Sequence, residues 1–345
     1  MQFILNILWR TLLWLRGGTL KLLILAGVLL LIWGISSPVG TLVWWFSQEA
    51  ERLGVTTELP TRSPPHLNPE SITPSTTATN VSCYIIFLPG VGDFSANQLT
   101  PGEEFFLDRL VQLHPDCVTV SDVFPYSAAN QSLGANQRLL APFWDAIESA
   151  EGWLESFGVL IKIRNLWRFA ISADDRYGVV YNQGIATAIL ERMHATHPIS
   201  PNAPQPLRVI LLGTSGGVQV SLGAARYLKQ WLDPQLIVVS VGGVFDGNTG
   251  FDQVERVYHL QGKRDWVEDI GRIIFASRWH WVAGSPFNRA RQQGRYSVLV
   301  TGPHTHDGEE GYFGLNWVNE SQTTYVELTV AQVDQLPIWA IPAHP

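Results

Sequence analysis

The chain predicts an α/β fold, a doubly wound and mainly parallel sheet with helices on both faces. Three observations predict it. From Cys83 onward, short apolar runs alternate with segments of helical period, the pattern of parallel strands joined by crossover helices. Runs such as Tyr84–Leu88 are continuously apolar, as strands buried on both faces are. Glycine-rich turns follow several of the runs, at the strand ends where open α/β sheets bind ligands.

Strands are expected at Tyr84–Leu88, Cys117–Asp122, Leu207–Leu212, Leu236–Val241, Val257–Leu260 and Tyr296–Val300. Helices are expected near Glu103–Leu113, Gly184–His194 and Val218–Trp231. The first strand runs into Pro89-Gly90-Val91-Gly92-Asp93. A tetrahedral intermediate needs backbone N–H donors aimed at its oxygen, and the amides of Val91 and Gly216 are the natural pair; a plain strand-to-helix loop is the alternative. The two cysteines, Cys83 and Cys117, start two of the strands. If those strands are neighbours a disulfide is geometrically possible, and otherwise the pair are small core residues. A long insertion, Ala128–Tyr181, carries apolar residues three and four apart, among them Phe143-Trp144, Trp153-Leu154 and Leu160–Ile163. That spacing suggests amphipathic helices, either a cap over a site or an extra packing layer. Asp174, Asp175 and Arg176 within it read as an internal ion pair.

The third strand leads to the chemistry. Leu207–Leu212 leads into Gly213-Thr214-Ser215-Gly216-Gly217, and a helix follows. Strand, G-x-S-x-G turn and helix is the arrangement of a nucleophile elbow. The turn strains the backbone at the Ser, and larger flanking residues would collide with the neighbouring strand and helix. A tight turn with a solvated Ser is the bland alternative. An acid and a base are then expected later in the chain, in that order. Asp265 follows Val257–Leu260 and Gln261-Gly262, where a carboxylate can hold an imidazole. Asp246, after Leu236–Val241 and Gly242-Gly243, is the rival, and either Asp can be a turn former. Two histidines follow the last strand in Thr301-Gly302-Pro303-His304-Thr305-His306. Two residues apart, they share a side in an extended loop and separate in a turn, so periodicity does not choose between them. With Asp307, Glu309 and Glu310 the pair offers a metal-site reading. His194 and His197 read as surface residues.

This order of strand, Gly-rich loop, G-x-S-x-G elbow, strand-terminal Asp and post-strand His resembles the α/β-hydrolase superfamily, over about Cys83 to Tyr312. The resemblance implies Ser215 as nucleophile, Asp265 as orienting acid, and His306 or His304 as general base. The region is also similar to a group of membrane-anchored hydrolase-like proteins of cyanobacteria. These carry a Ser-Ala-Asp-x-Arg-Tyr-Gly segment and a His-x-Gly-x-x-Gly-Tyr segment. Here the segments are Ser172–Gly178 and His306–Tyr312, which favours His306. Two departures stand out. No pair of antiparallel strands is evident before Tyr84, and no long apolar insertion follows Leu236–Val241.

A chain of 345 residues, 46% hydrophobic, is ample for one large domain and an accessory segment. Its formal charge of −7, with no basic patch of note in the folded region, argues against a nucleic-acid partner. Residues 1–48 read as a membrane segment. No charged residue occurs from Leu22 to Gln48, longer than the ~20 residues that span a bilayer, and the span is expected at about 22–46. Arg10, Arg16 and Lys21 precede it, which places the N-terminus in the cytoplasm and the later domain outside it. A cleaved signal peptide is the alternative. Residues 49–82 form a linker rich in Pro, Ser and Thr, a composition that tends to be extended, and residues 83–345 form the hydrolase-like domain with its insertion at 128–181. The expectation is a membrane-anchored serine hydrolase that cleaves an ester or thioester of an apolar acyl substrate, with no metal or organic cofactor. Peptidase or amidase activity is a variant of it. From another class, the same fold can be a catalytically silent binding or assembly subunit tethered to the membrane.

Overall fold

The computed structural model describes residues 81, 83–92, 99–126, 154–199, 206–318 and 322–339. The expected membrane segment, nearly all of the linker, and residues 128–153 of the insertion lie outside the described residues. Among the described residues no helix is long and apolar enough to cross a membrane. The chain divides into two units, Met1–His66 with Ser149–Leu160, and Leu67–Glu148 with Ile161–Pro345. The sheet and the site belong to the second.

Six parallel strands make one sheet: β1 Cys83–Leu88, β2 Cys117–Val120, β3 Arg208–Thr214, β4 Gln235–Val241, β5 Arg256–Gln261 and β6 Tyr296–Val300, in the order β2-β1-β3-β4-β5-β6. Seven helices accompany them among the described residues: α1 Pro101–Leu113, α2 Leu154–Ala173, α3 Gly178–Thr196, α4 Gly217–Leu232, α5 Val267–Ile274, α6 Pro286–Gln292 and α7 Tyr325–Asp334. The six strands expected from the sequence, and the helices expected near Glu103–Leu113, Gly184–His194 and Val218–Trp231, are present with ends shifted by a few residues.

The shifts have local causes. Thr100-Pro101-Gly102-Glu103 is a capping box. The Glu103 amide donates to Thr100 Oγ1 and the Thr100 amide donates to Glu103 Oε2. Proline is suited to the first helical position, so α1 starts at Pro101 rather than Glu103. Helix α3 starts six residues before Gly184. The Asp174 carboxylate accepts from the amides of Arg176 and Tyr177 and pairs with the Arg176 guanidinium at 2.8 Å, which closes the turn from α2 into α3. The Ser172–Gly178 segment is therefore a helix junction, and the expected ion pair lies within it.

Strand polarity explains the two cores. Along β1, Tyr84, Ile86 and Leu88 face one side, and Cys83, Ile85 and Phe87 the other, as the two-residue period of a strand requires. Helices α3 and α4 pack on the first face, and α1 and α7 on the second. Cys83 and Cys117 lie opposite each other in the β1–β2 register and are joined by a disulfide. A cross-link over 34 residues contributes roughly 3–4 kcal/mol by restricting the unfolded chain.

The chain leaves β1 toward β2 on one side and returns to β3 on the other. Such a reversal opens a crevice at the carboxyl ends of the two central strands, here Pro89–Val91 and Ser215.

Candidate active site

Strand β3 ends at Thr214 and α4 begins at Gly217, so Ser215 and Gly216 alone make the turn. Ser215 has φ 48°, the left-handed region that costs a non-glycine residue about 1–2 kcal/mol. The surroundings hold it there. The Ser215 amide donates to Val241 O at 3.1 Å, and Ser215 O accepts from the amides of Val218 and Val244. Glycine next to the elbow answers a steric need. A Cβ on Gly217 would lie 2.2 Å from Leu88 O and 2.5 Å from Pro89 O, since α4 starts pressed against the end of β1. Gly217→Ala is expected to cost about 1–3 kcal/mol by overpacking, read as a lower melting temperature. An unchanged melt would show that this contact is slack.

Three side chains from three strand ends meet. His306 Nε2 lies 3.0 Å from Ser215 Oγ. His306 Nδ1 lies 3.0 and 2.9 Å from the two Asp265 oxygens. With Nδ1 protonated and donating to the carboxylate, Nε2 is left to accept the serine proton. The loop bends back to reach Ser215 at Gly308, φ 82°, with Gly311 N donating to Gly308 O and Thr305 N to Glu310 O. Only glycine takes that backbone without strain.

The Asp265 carboxylate is further held by two donors. The Val267 amide, at the start of α5, donates to Oδ1 at 2.9 Å, and the Tyr312 hydroxyl donates to Oδ2 at 2.8 Å. Tyr312 OH itself accepts from the Gly262 amide at 2.7 Å. Burial alone would raise the Asp265 pKa, but the His306 bond and charge, with Tyr312 and Val267, bring it below the usual carboxylate value. Burial alone would lower His306, but the Asp265 bond and charge raise it above the ordinary imidazole value. Burial, then the Asp265 charge, pushes the Tyr312 phenol far up, so it stays a donor. The role of Tyr312 was not anticipated. Its sequence signal was its place at the end of the His306–Tyr312 segment.

The alternatives are placed elsewhere. His304 is fully buried. Its Nε2–H donates to Tyr325 O at 3.0 Å, its Nδ1 pairs with the Thr301 hydroxyl at 3.0 Å, and its ring stacks on Tyr312. It supports the floor of the site, and burial lowers its pKa. With both ring nitrogens engaged, His304 does not chelate with His306, and among the described residues no group of three or more His, Cys, Asp or Glu is placed to hold a metal ion. Asp246 is a turn former. Its carboxylate accepts from the amides of Asn248 and Thr249 and from Gln219 Nε2.

Val91 and Gly216 are neighbours in the structure. A Cβ on Gly216 would lie 2.7 Å from Val91 Cγ1 and 3.0 Å from Phe169 Cδ2. Gly216 is the cap residue of α4, whose N-terminus favours negative charge. The described part of the insertion reaches this point. Asn165 Nδ2 donates to Val91 O at 3.0 Å, and Phe169, one helical turn on, packs by Gly216 and Phe275. Helix α2 thus braces the Gly-rich loop with one polar and one aromatic side chain. His194 and His197 are half-buried at the end of α3, rather than fully on the surface.

No family model matches the chain, and neither a curated protein nor a solved structure matches it.

Proposed function

We propose that this protein is a membrane-anchored serine hydrolase on an α/β-hydrolase-like fold, cleaving an ester or thioester of an apolar, acyl-type substrate. One observation carries the reading. A serine held at positive φ between a central strand and a helix is in line with a buried imidazole–carboxylate pair, all three at hydrogen-bond distance. Strain of that kind persists only where the surroundings enforce it, and it exposes the Ser215 hydroxyl to the crevice.

In this mechanism Ser215 Oγ attacks the substrate carbonyl as His306 Nε2 takes its proton. The carbonyl oxygen becomes an oxyanion, to which the amides of Val91 and Gly216 are the assigned donors. Collapse of the intermediate breaks the bond to the leaving alcohol or thiol, which receives the proton from His306. Water then repeats the sequence on the acyl-enzyme, His306 serving again as base, and releases the acid. Asp265 stabilises the imidazolium formed in each half. Val91, half-buried beside Gly216, offers apolar surface to an acyl chain, which is in keeping with the substrate class.

The membrane part rests on the uncharged run Leu22–Gln48, with basic residues before it. The Cys83–Cys117 disulfide suits an oxidising compartment outside the cytoplasm. Treatment with a fluorophosphonate probe should transfer its phosphonyl group to Ser215 with loss of fluoride, adding that group's mass to the peptide, and the protein should hydrolyse acyl esters of a chain-length panel. A folded protein that neither labels nor hydrolyses any member of an ester, thioester and peptide panel would leave a silent binding fold as the better reading.

A further inference from the structure

Helix α5 is inside out. Its buried residues are Glu268 and Gly271, whereas Ile273 and Ile274 are 71% and 57% exposed. Trp266, its cap residue, is 67% exposed, and Trp281, shortly after the helix, is 75% exposed. Trp266, Ile270, Ile273 and Ile274 follow helical spacing and share one stripe. The inversion has a cause. Glu268 is bound inside by His259 Nε2 and Gln261 Nε2, and His259 Nδ1 pairs with Ser240 Oγ at 2.7 Å. With the carboxylate turned inward, the isoleucines must turn out. A contiguous apolar stripe facing water marks an interaction surface.

Three observations say what covers it. Tryptophan at both ends of an aliphatic stripe is the composition of an interfacial helix, each ring offering an apolar body and a polar edge. The charge around it is opposite to that of the chain. Between Lys263 and Arg295 stand seven Lys and Arg against three Asp and Glu, in a chain of net −7; the folded region does have a basic segment. Lys263, Arg264, Arg272 and Arg291 are exposed, although Arg264 and Arg272 also pair with Glu310 and Asp269. Anionic headgroups attract exposed basic residues near the membrane surface. Finally, the linker 49–82 reaches at most ~115 Å when fully extended, so a chain anchored by Leu22–Gln48 keeps this face within reach of its own bilayer.

We propose that the Trp266–Ile274 face of α5, with Trp281, docks on the anionic lipid surface of the membrane to which the chain is anchored. Docking sets the segment that follows Asp265 at the lipid surface, where apolar acyl substrates reside. The proposal rests on the membrane-anchor half of the reading above and is independent of the chemistry.

The test uses the full chain in vesicles of neutral and anionic phospholipid. The native cysteines are tied in a buried disulfide, so one introduced cysteine can carry an environment-sensitive fluorophore. Ile273→Cys and Trp281→Cys probe the face. Asp108→Cys, exposed on α1 across the sheet, is the reference. Matched melting curves identify a label that disturbs the fold, and the two face positions serve in place of each other. The expected result is a blue-shifted emission at 273 and 281, quenched by doxyl groups on lipid acyl chains, and neither effect at 108. Loss of the quenching in purely neutral vesicles would support the charge argument. Emission at 273 and 281 matching that at 108 overturns the proposal. So does a blue shift that lipid quenchers leave untouched and that grows with protein density, which means a second copy covers the face. If alkaline extraction frees the full chain from the vesicles, the anchor itself fails, an outcome distinct from an anchored protein with a solvated α5.

Discussion

Ser215→Ala is expected to abolish fluorophosphonate labelling and to lower turnover by ~10⁴–10⁶-fold, the scale of losing a triad nucleophile, with the melting temperature held or raised. The stability expectation comes from the backbone. Ser215 sits at φ 48° because β3, β4 and α4 hold both of its peptide groups, not because its hydroxyl does. Its amide is bonded to Val241 O and its carbonyl accepts from Val218 and Val244. Alanine keeps those bonds and loses only the 3.0 Å contact to His306. His306→Ala should lose nearly as much activity. The double variant should be hardly worse than either single one, because in the proposed mechanism the two groups act in one proton transfer. His304→Ala should behave in the opposite sense, with turnover reduced modestly and stability reduced clearly. It empties a buried space and removes the ring's bonds to the Thr301 hydroxyl and Tyr325 O, which keep longer contacts to Gln261 O and Thr329 Oγ1. Near wild-type turnover in a well-folded Ser215→Ala protein would end the proposed mechanism.

How much of this was legible in the sequence depended on range. The central strands β1, β3 and β4 could be read from local polarity, because a strand buried on both faces leaves a continuous apolar run. The elbow could be read because its glycines answer a steric constraint a few residues away. At Gly217 that constraint is contact with Leu88 O and Pro89 O. The histidine was not legible from periodicity. His304 and His306 differ because one ring is trapped between Tyr312 and α7 while the next swings out at Gly308, and these contacts span 21 residues at Tyr325 and 91 at Ser215. Only the resemblance of the His306–Tyr312 segment pointed to the one that the fold brings beside Ser215. Tyr312 shows the same limit. Its hydroxyl meets a carboxylate 47 residues earlier, a pairing no local pattern encodes. Asp246 and Asp265 both follow a strand and a glycine. They part ways because Gln219 on α4 reaches Asp246 and His306 reaches Asp265. The inverted α5, not anticipated from the sequence, shows a related limit. Its stripe has the spacing of a core-facing helix, yet the burial of Glu268 by His259 decides which side faces in.

Asp265→Asn is the sharpest test of the acid. Turnover should fall by ~10⁴-fold, as amide substitution does in such triads, equivalent to about 5.4 kcal/mol of barrier. The donors already present dictate why. Oδ1 accepts from the Val267 amide, Oδ2 accepts from Tyr312, and both face His306 Nδ1. An asparagine has one oxygen for these three donors. Its NH₂ therefore points at His306 and favours the tautomer with the proton on Nε2, which cannot take one from Ser215. The pH profile should move as well. The reaction needs neutral His306, so activity is present above the folded-state pKa and is lost as pH falls through it. In the wild type burial would lower that pKa, but Asp265 raises it above the ordinary imidazole value, so the acid limb should lie above about pH 6.5. In Asp265→Asn the negative charge is gone and the burial remains, so the residual activity should persist to lower pH. Asp246→Asn, which touches only its own turn and Gln219, should leave both the rate and the limb in place. If instead the Asp246 variant loses activity and the Asp265 variant keeps it, with the acid limb unmoved, then Asp265 does not orient the base.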